Sequence, residues 1–142
     1  YRLGRVDEAQ PWLERLESAE PRAVAVRMDR AAAFWRAARF QEAAELYLAV
    51  LGEQEATPRA AFNLGLLYYE VAPTDEASRR RFWPAARAAF RWFLRGPAPV
   101  DGHEQFERTL GVPYRLARIE ELLGPADDRP VTLPDLAWPR AN

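Results

Sequence analysis

The chain has 142 residues, 49% of them hydrophobic, which is enough for one compact domain with its own core. Its 20 basic and 21 acidic side chains leave a formal charge of −1, which excludes a global field drawing it to nucleic acid or anionic lipid. Cys is absent, so disulfides, thiolate zinc sites and cysteine nucleophiles are excluded together, and the compartment stays open between the cytoplasm, slightly favoured, and the periplasm.

Tyr1 to Arg5 reads as the end of a helix closed by Gly4, so the chain is expected to be part of a longer array. No basic-then-apolar leader precedes it, and no run approaches the roughly 18 apolar residues of a membrane span, so no membrane insertion is expected. Every basic residue is Arg and Ala is abundant, a composition expected of a GC-rich, bacterial genome.

Asp7 is placed to cap a first complete helix, with Ala9, Trp12, Leu13 and Leu16 as its apolar stripe before Pro21. Val24 to Ala38 predicts a second, with Met28, Ala31, Ala32, Phe34 and Trp35 on its apolar sides. A third starts near Phe40, carries Ala43, Ala44, Tyr47, Val50 and Leu51, and ends on Gly52 as a C-cap. Thr57 caps a fourth with Pro58 at its first position; Ala61, Leu64, Gly65 and Tyr68 mark one face, Phe62, Leu66 and Tyr69 another, and it stops near Val71.

The phrase around Ala9 returns 34 residues later around Ala43, and Ala86 with Phe90 repeats the spacing of Ala43 with Tyr47 after nine extra residues. Those extra residues fall between Ala72 and Phe82, either as a loop or as an added helical turn that kinks at Pro84. Asp101 to Leu110 and Val112 to Leu123 read as two further helices broken at Gly111 and Pro113, the last with a stripe of Leu116, Ile119, Leu122 and Leu123. From Ala126 onward, prolines and weak periodicity predict an extended tail.

With Leu64-Gly65 followed by Tyr68, the paired Ala and bulky residues, and Pro21, the chain resembles the tetratricopeptide repeat family. The resemblance implies an all-α fold: a superhelical stack of antiparallel helix hairpins over residues 1–95, a capping hairpin over 101–124, and the tail over 125–142. It also implies a protein-interaction scaffold rather than an enzyme, with the first helix of each hairpin lining a concave groove. In that register the groove carries Met28, Ala32, Trp35, Arg36, Arg59, Phe62, Asn63, Leu66 and Tyr69, an aromatic and apolar surface suited to a partner's helix or peptide; the alternative is that most of these side chains are core. Met28 and Ala32 stand where the carboxylate clamp of some family members needs polar groups, which disfavours that ligand.

Residues 77–100 hold Arg79, Arg80, Arg81, Arg87, Arg91 and Arg95 with no acidic residue. Arg87, Arg91 and Arg95 share one helix face, and Phe82, Trp83 and Trp92 lie among them. This segment is an alternative binding site for an acidic protein segment or, less favoured, nucleic acid; otherwise it is a solvated face neutralised by carboxylates such as Glu104 or Glu107. His103 and Glu107 are a poor metal pair, so no metal or cofactor is expected. Leu133, Leu136 and Trp138 give the tail anchors for folding back on its own domain or docking on a neighbour.

Overall fold

The apolar periodicity becomes five helices and no strand among the residues that the computed structural model describes, 23–53, 57–96 and 102–140. The helix expected from Asp7 and the first Ala phrase lie outside these residues, as does Asp101, where a later helix is expected to begin. Helix α1 runs Ala23–Arg36 and α2 runs Phe40–Glu53. The turn between them closes with Arg39 N–H donating to the Phe34 carbonyl at 2.8 Å, which puts Ala38 in the left-handed region at φ 60°. Gly52 does not cap α2; it lies inside the last helical turn.

Helix α3 starts at Pro58, runs Pro58–Leu66, and continues through a wide π turn, Leu67–Val71. Thr57 precedes it in an extended conformation, but its side chain makes no capping bond, and Pro58 alone sets the start. Helix α4, Glu76–Arg95, absorbs the extra residues as helix and passes through the exposed Pro84. It begins early because Asp75 and Ser78 form a reciprocal capping box, with Ser78 N–H donating to Asp75 Oδ1 at 2.8 Å. Arg108 covers its other end, donating to the Leu94 carbonyl at 2.6 Å and to that of Gly96.

The expected break at Gly111 is absent, so the capping hairpin is replaced by one helix. This helix, α5, consists of Gly102–Phe106, a π turn Glu107–Gly111, and Val112–Leu123, and Gly111 and Val112 keep right-handed helical φ values of −66° and −67°. The π turn inserts one residue, which brings Glu107, Val112, Leu116 and Ile119 onto one side despite the five-residue step from 107 to 112. Gly111 fits there because a Cβ would run into the Glu107 carboxylate.

Packing follows chain order. α1 lies on α2, α3 on α4, α2 on α3, and α5 on α4. Ala43, Tyr47, Ala86 and Phe90, the described members of the repeated phrase, are at most 2% exposed. Gly65 permits the closest helix contact, since a Cβ there would stand 2.5 Å from the Phe90 ring, which is itself fully buried. The tail returns across α4 and α2 and makes a 3-10 turn at Leu133–Leu136. Leu136 is fully buried, the Trp138 ring meets that of Phe82 edge-on with centroids 4.9 Å apart, and the Tyr68 hydroxyl donates to the Leu136 carbonyl at 2.8 Å.

Two substitutions test this backbone in opposite directions by urea denaturation. Gly65→Ala forces Phe90 out of its place and is expected to cost about 2 kcal/mol. Ala38→Gly relieves the left-handed strain and is expected to gain about 1 kcal/mol.

Candidate functional site

The residues expected to line a groove divide into two groups. Trp35 and Asn63 converge on Tyr47: the Trp35 ring meets Tyr47 edge-on at 6.5 Å, and Asn63 hydrogen-bonds its hydroxyl. Burial raises the Tyr47 pKa and the Asn63 bond partly offsets it. Met28, Trp35, Asn63, Leu66 and Tyr69 are half-buried, whereas Arg36 and Arg59 are exposed. Phe62 belongs to the core instead: it is 9% exposed, packed against Phe90 and Phe93, with His103 of α5 edge-on at 5.9 Å. Glu104 of α5 meets Arg59 at 3.9 Å above it. Helix α5 thus covers Phe62, and no partner reaches that ring without displacing it.

The arginines of α4 meet carbonyls, and Arg80 also pairs with the Glu76 carboxylate at 3.7 Å. Arg80 donates to Leu122 at 3.4 Å, Arg81 to Pro139 at 2.9 Å, Arg87 to Gly124 at 2.8 Å, Arg91 to Arg129 at 3.2 Å and Arg95 to Val131 at 2.9 Å. An extended segment rich in proline cannot satisfy its own carbonyls, and the guanidiniums do so. Arg95 also lies 3.8 Å over the Trp92 ring and Arg81 4.8 Å over that of Phe82, so the interleaved aromatics support the side chains that hold the tail. Glu104 and Glu107 serve other partners: Glu107 is 6% exposed and accepts from Arg115 at 2.7 Å. No group of three or more potential metal ligands occurs among the described residues.

Of the six arginines in this segment, Arg79 alone makes no side-chain hydrogen bond or ion pair with the described residues. It faces a cleft of about 350 Å3 lined by Tyr69, Glu70, Pro73, Arg79, Trp83 and Arg118. Beside it, α5 carries an apolar line that the sequence reading missed. Phe106, Leu110 and Tyr114 are 53%, 61% and 65% exposed at steps of four residues. Large apolar side chains grouped in this way mark contact surfaces far more often than scattered ones do.

No helix among the described residues is long and apolar enough to cross a membrane. Comparison of the chain with protein-family models, with curated proteins and with solved structures finds no match in any of the three.

The seat of the tail has a pH signature. Arg129 donates both of its terminal nitrogens to Asp135, and with the Thr132 N–H this holds the Asp135 carboxyl down at about 2. A depressed carboxylate contributes fully above its ordinary value of 3.8 and loses that contribution as pH falls through about 2. The stability difference between the native chain and Asp135→Asn, measured by urea denaturation, is therefore expected to be constant above about pH 5 and to shrink steadily below pH 4.

Proposed function

We propose that this chain is a protein-interaction module that docks a partner's segment along α5 and the neighbouring end of α3. The observation that carries the reading is the exposed line of Phe106, Leu110 and Tyr114. Three large apolar side chains left in water on one helix are costly unless covered, and aromatic anchors of this type dominate interface energetics. Trp35, Leu66 and Tyr69 extend the contact surface on α1 and α3, in keeping with a scaffold built from divergent tetratricopeptide-type hairpins. Two features support that kinship: the close contact of Gly65 with Phe90, and the burial of Ala43 with Tyr47. Among the described residues, the 3-10 turn of the tail packs on α2 and α4 rather than on this surface.

The test uses a photo-reactive benzoylphenylalanine placed at Leu110 and, as a control, at the exposed Ala77 of α4, in cells of the source organism. A discrete crosslinked partner from position 110 and not from 77 is expected. Phe106→Ala with Tyr114→Ala is expected to weaken the purified complex at least ~30-fold, with an unchanged unfolding midpoint because both side chains are exposed. Equal crosslinking at the two positions, or full affinity in the double variant, rejects the proposal.

A further inference from the structure

We propose that the cleft between the end of α3, the start of α4 and the end of α5 selects the partner, taking an acidic side chain beside an apolar one. This rests on the interaction reading above and names the chemistry of the segment bound.

The cleft has an aromatic floor. Tyr69 and Trp83 stack with ring centroids 4.9 Å apart and 10° between planes. The residue that would donate to the Tyr69 carbonyl in a regular helix is Pro73, which has no N–H, and the Trp83 indole N–H occupies that carbonyl instead at 3.1 Å. The floor is therefore rigid. With Pro73 it presents the flat, apolar wall that suits a ring or an aliphatic side chain. Its volume, about 350 Å3, is at the small end of ligand-sized sites and accommodates one or two side chains rather than a folded element.

The rim is cationic and exposed. Arg79 comes from the first turn of α4, where its charge is felt by the capping Asp75 but no side-chain hydrogen bond or close ion pair holds it among the described residues, while Arg118 of α5 meets Glu121 at 3.8 Å, both half-exposed or more. Glu70, the one carboxylate in the lining, is held by Arg115 at 3.5 Å. The Tyr69 hydroxyl has no hydrogen-bond partner among the described residues. Burial pushes its pKa up while Arg118 and Arg115 pull it down, which places guanidinium charge at the hydroxyl. Two exposed guanidiniums and a hydroxyl around an aromatic floor complement a carboxylate attached to an apolar neighbour. Tyr114 lies one turn before Arg118 on α5, which sets the exposed line next to the rim of the cleft. Nucleic acid is the weaker match, because the other arginines of α4 are engaged by the tail and the whole chain carries a charge of −1.

The probes are an acetylated and amidated hexapeptide, Gly-Ser-Glu-Phe-Ser-Gly, its counterpart with Gln in place of Glu, and inorganic phosphate. The readout is the Trp83 indole N–H resonance of the full chain, assigned with Trp83→Phe. The Glu peptide is expected to shift it saturably, with the Gln peptide bound ~10-fold more weakly. Arg79→Gln and Arg118→Gln are each expected to weaken the Glu peptide ~10-fold, leaving the Gln peptide and the unfolding midpoint unchanged. An absent or unsaturable shift, equal affinity for the two peptides, or Glu-peptide binding retained in both arginine variants overturns the proposal. A phosphate shift as strong as that of the Glu peptide overturns it too, in favour of a bare anion site. Crosslinking at Leu110 that survives any of these results leaves the interaction module standing and removes only the selectivity assigned to the cleft.

Discussion

Phe90 lies against the backbone of Gly65, and much of the molecule is arranged around that contact. The missing Cβ lets α3 and α4 approach closely enough for one ring to fill the gap, where any side chain would hold them apart. From its position Phe90 meets Phe62 at 6.4 Å and Tyr69 at 6.1 Å, so the ring fixes two successive turns of α3. Tyr69 in turn stacks on Trp83 and floors the cleft. Tyr68, its neighbour in sequence, stacks on Phe82 at 6.1 Å and gives its hydroxyl to the tail. One close approach thereby places both the proposed partner site and the seat of the C-terminal segment.

The arginines of α4 explain how so basic a helix coexists with a nearly neutral chain. Pro125, Pro130, Pro134 and Pro139 prevent the tail from forming a regular helix, which leaves its carbonyls to be satisfied from outside. Five guanidiniums on α4 reach five of those carbonyls or the last ones of α5. Arginine suits this role because it carries several donors on a planar head that also stacks on rings, as Arg95 does on Trp92. The tail and an outside partner then use different surfaces, and the arginine left over, Arg79, is the one that points to the cleft.

The helices, their pairing and most of the core were legible because Ala43, Tyr47, Ala86 and Phe90 carry a strong period with small and large residues at fixed steps. Three things were not. The π turn at Glu107–Gly111 leaves no compositional mark, and Gly111 with Pro113 reads as a break even though the chain continues as helix. Arginine partners were sought among carboxylates, whereas backbone carbonyls accept just as well and leave no trace in residue type. The third is the choice of face. Phe106, Leu110 and Tyr114 have helical spacing as good as that of Leu116, Ile119 and Leu123, and spacing alone does not say which set faces the core. The same ambiguity made Phe62 a groove candidate when it is core.

The orientation of α5 is decided by charge as well as by apolar packing. Val112, Leu116 and Ile119 would hold it on α4 over a range of rotations, since burial is not directional. Contacts with α3 limit that freedom: Arg115, held by Glu107 of its own helix at 2.7 Å, reaches Glu70 of α3 at 3.5 Å and sets its guanidinium 5.8 Å over the Phe62 ring. Glu107 and Arg115 turn together with α5, so a rotation keeps their pair intact but carries Arg115 away from Glu70 and the Phe62 ring, contacts that depend on direction where aliphatic ones do not. Holding Arg115 toward α3 turns Phe106, Leu110 and Tyr114 to solvent and sets Arg118, three residues on, at the rim of the cleft. The apolar line and the cationic rim thus both follow from the way Arg115 ties α5 to α3.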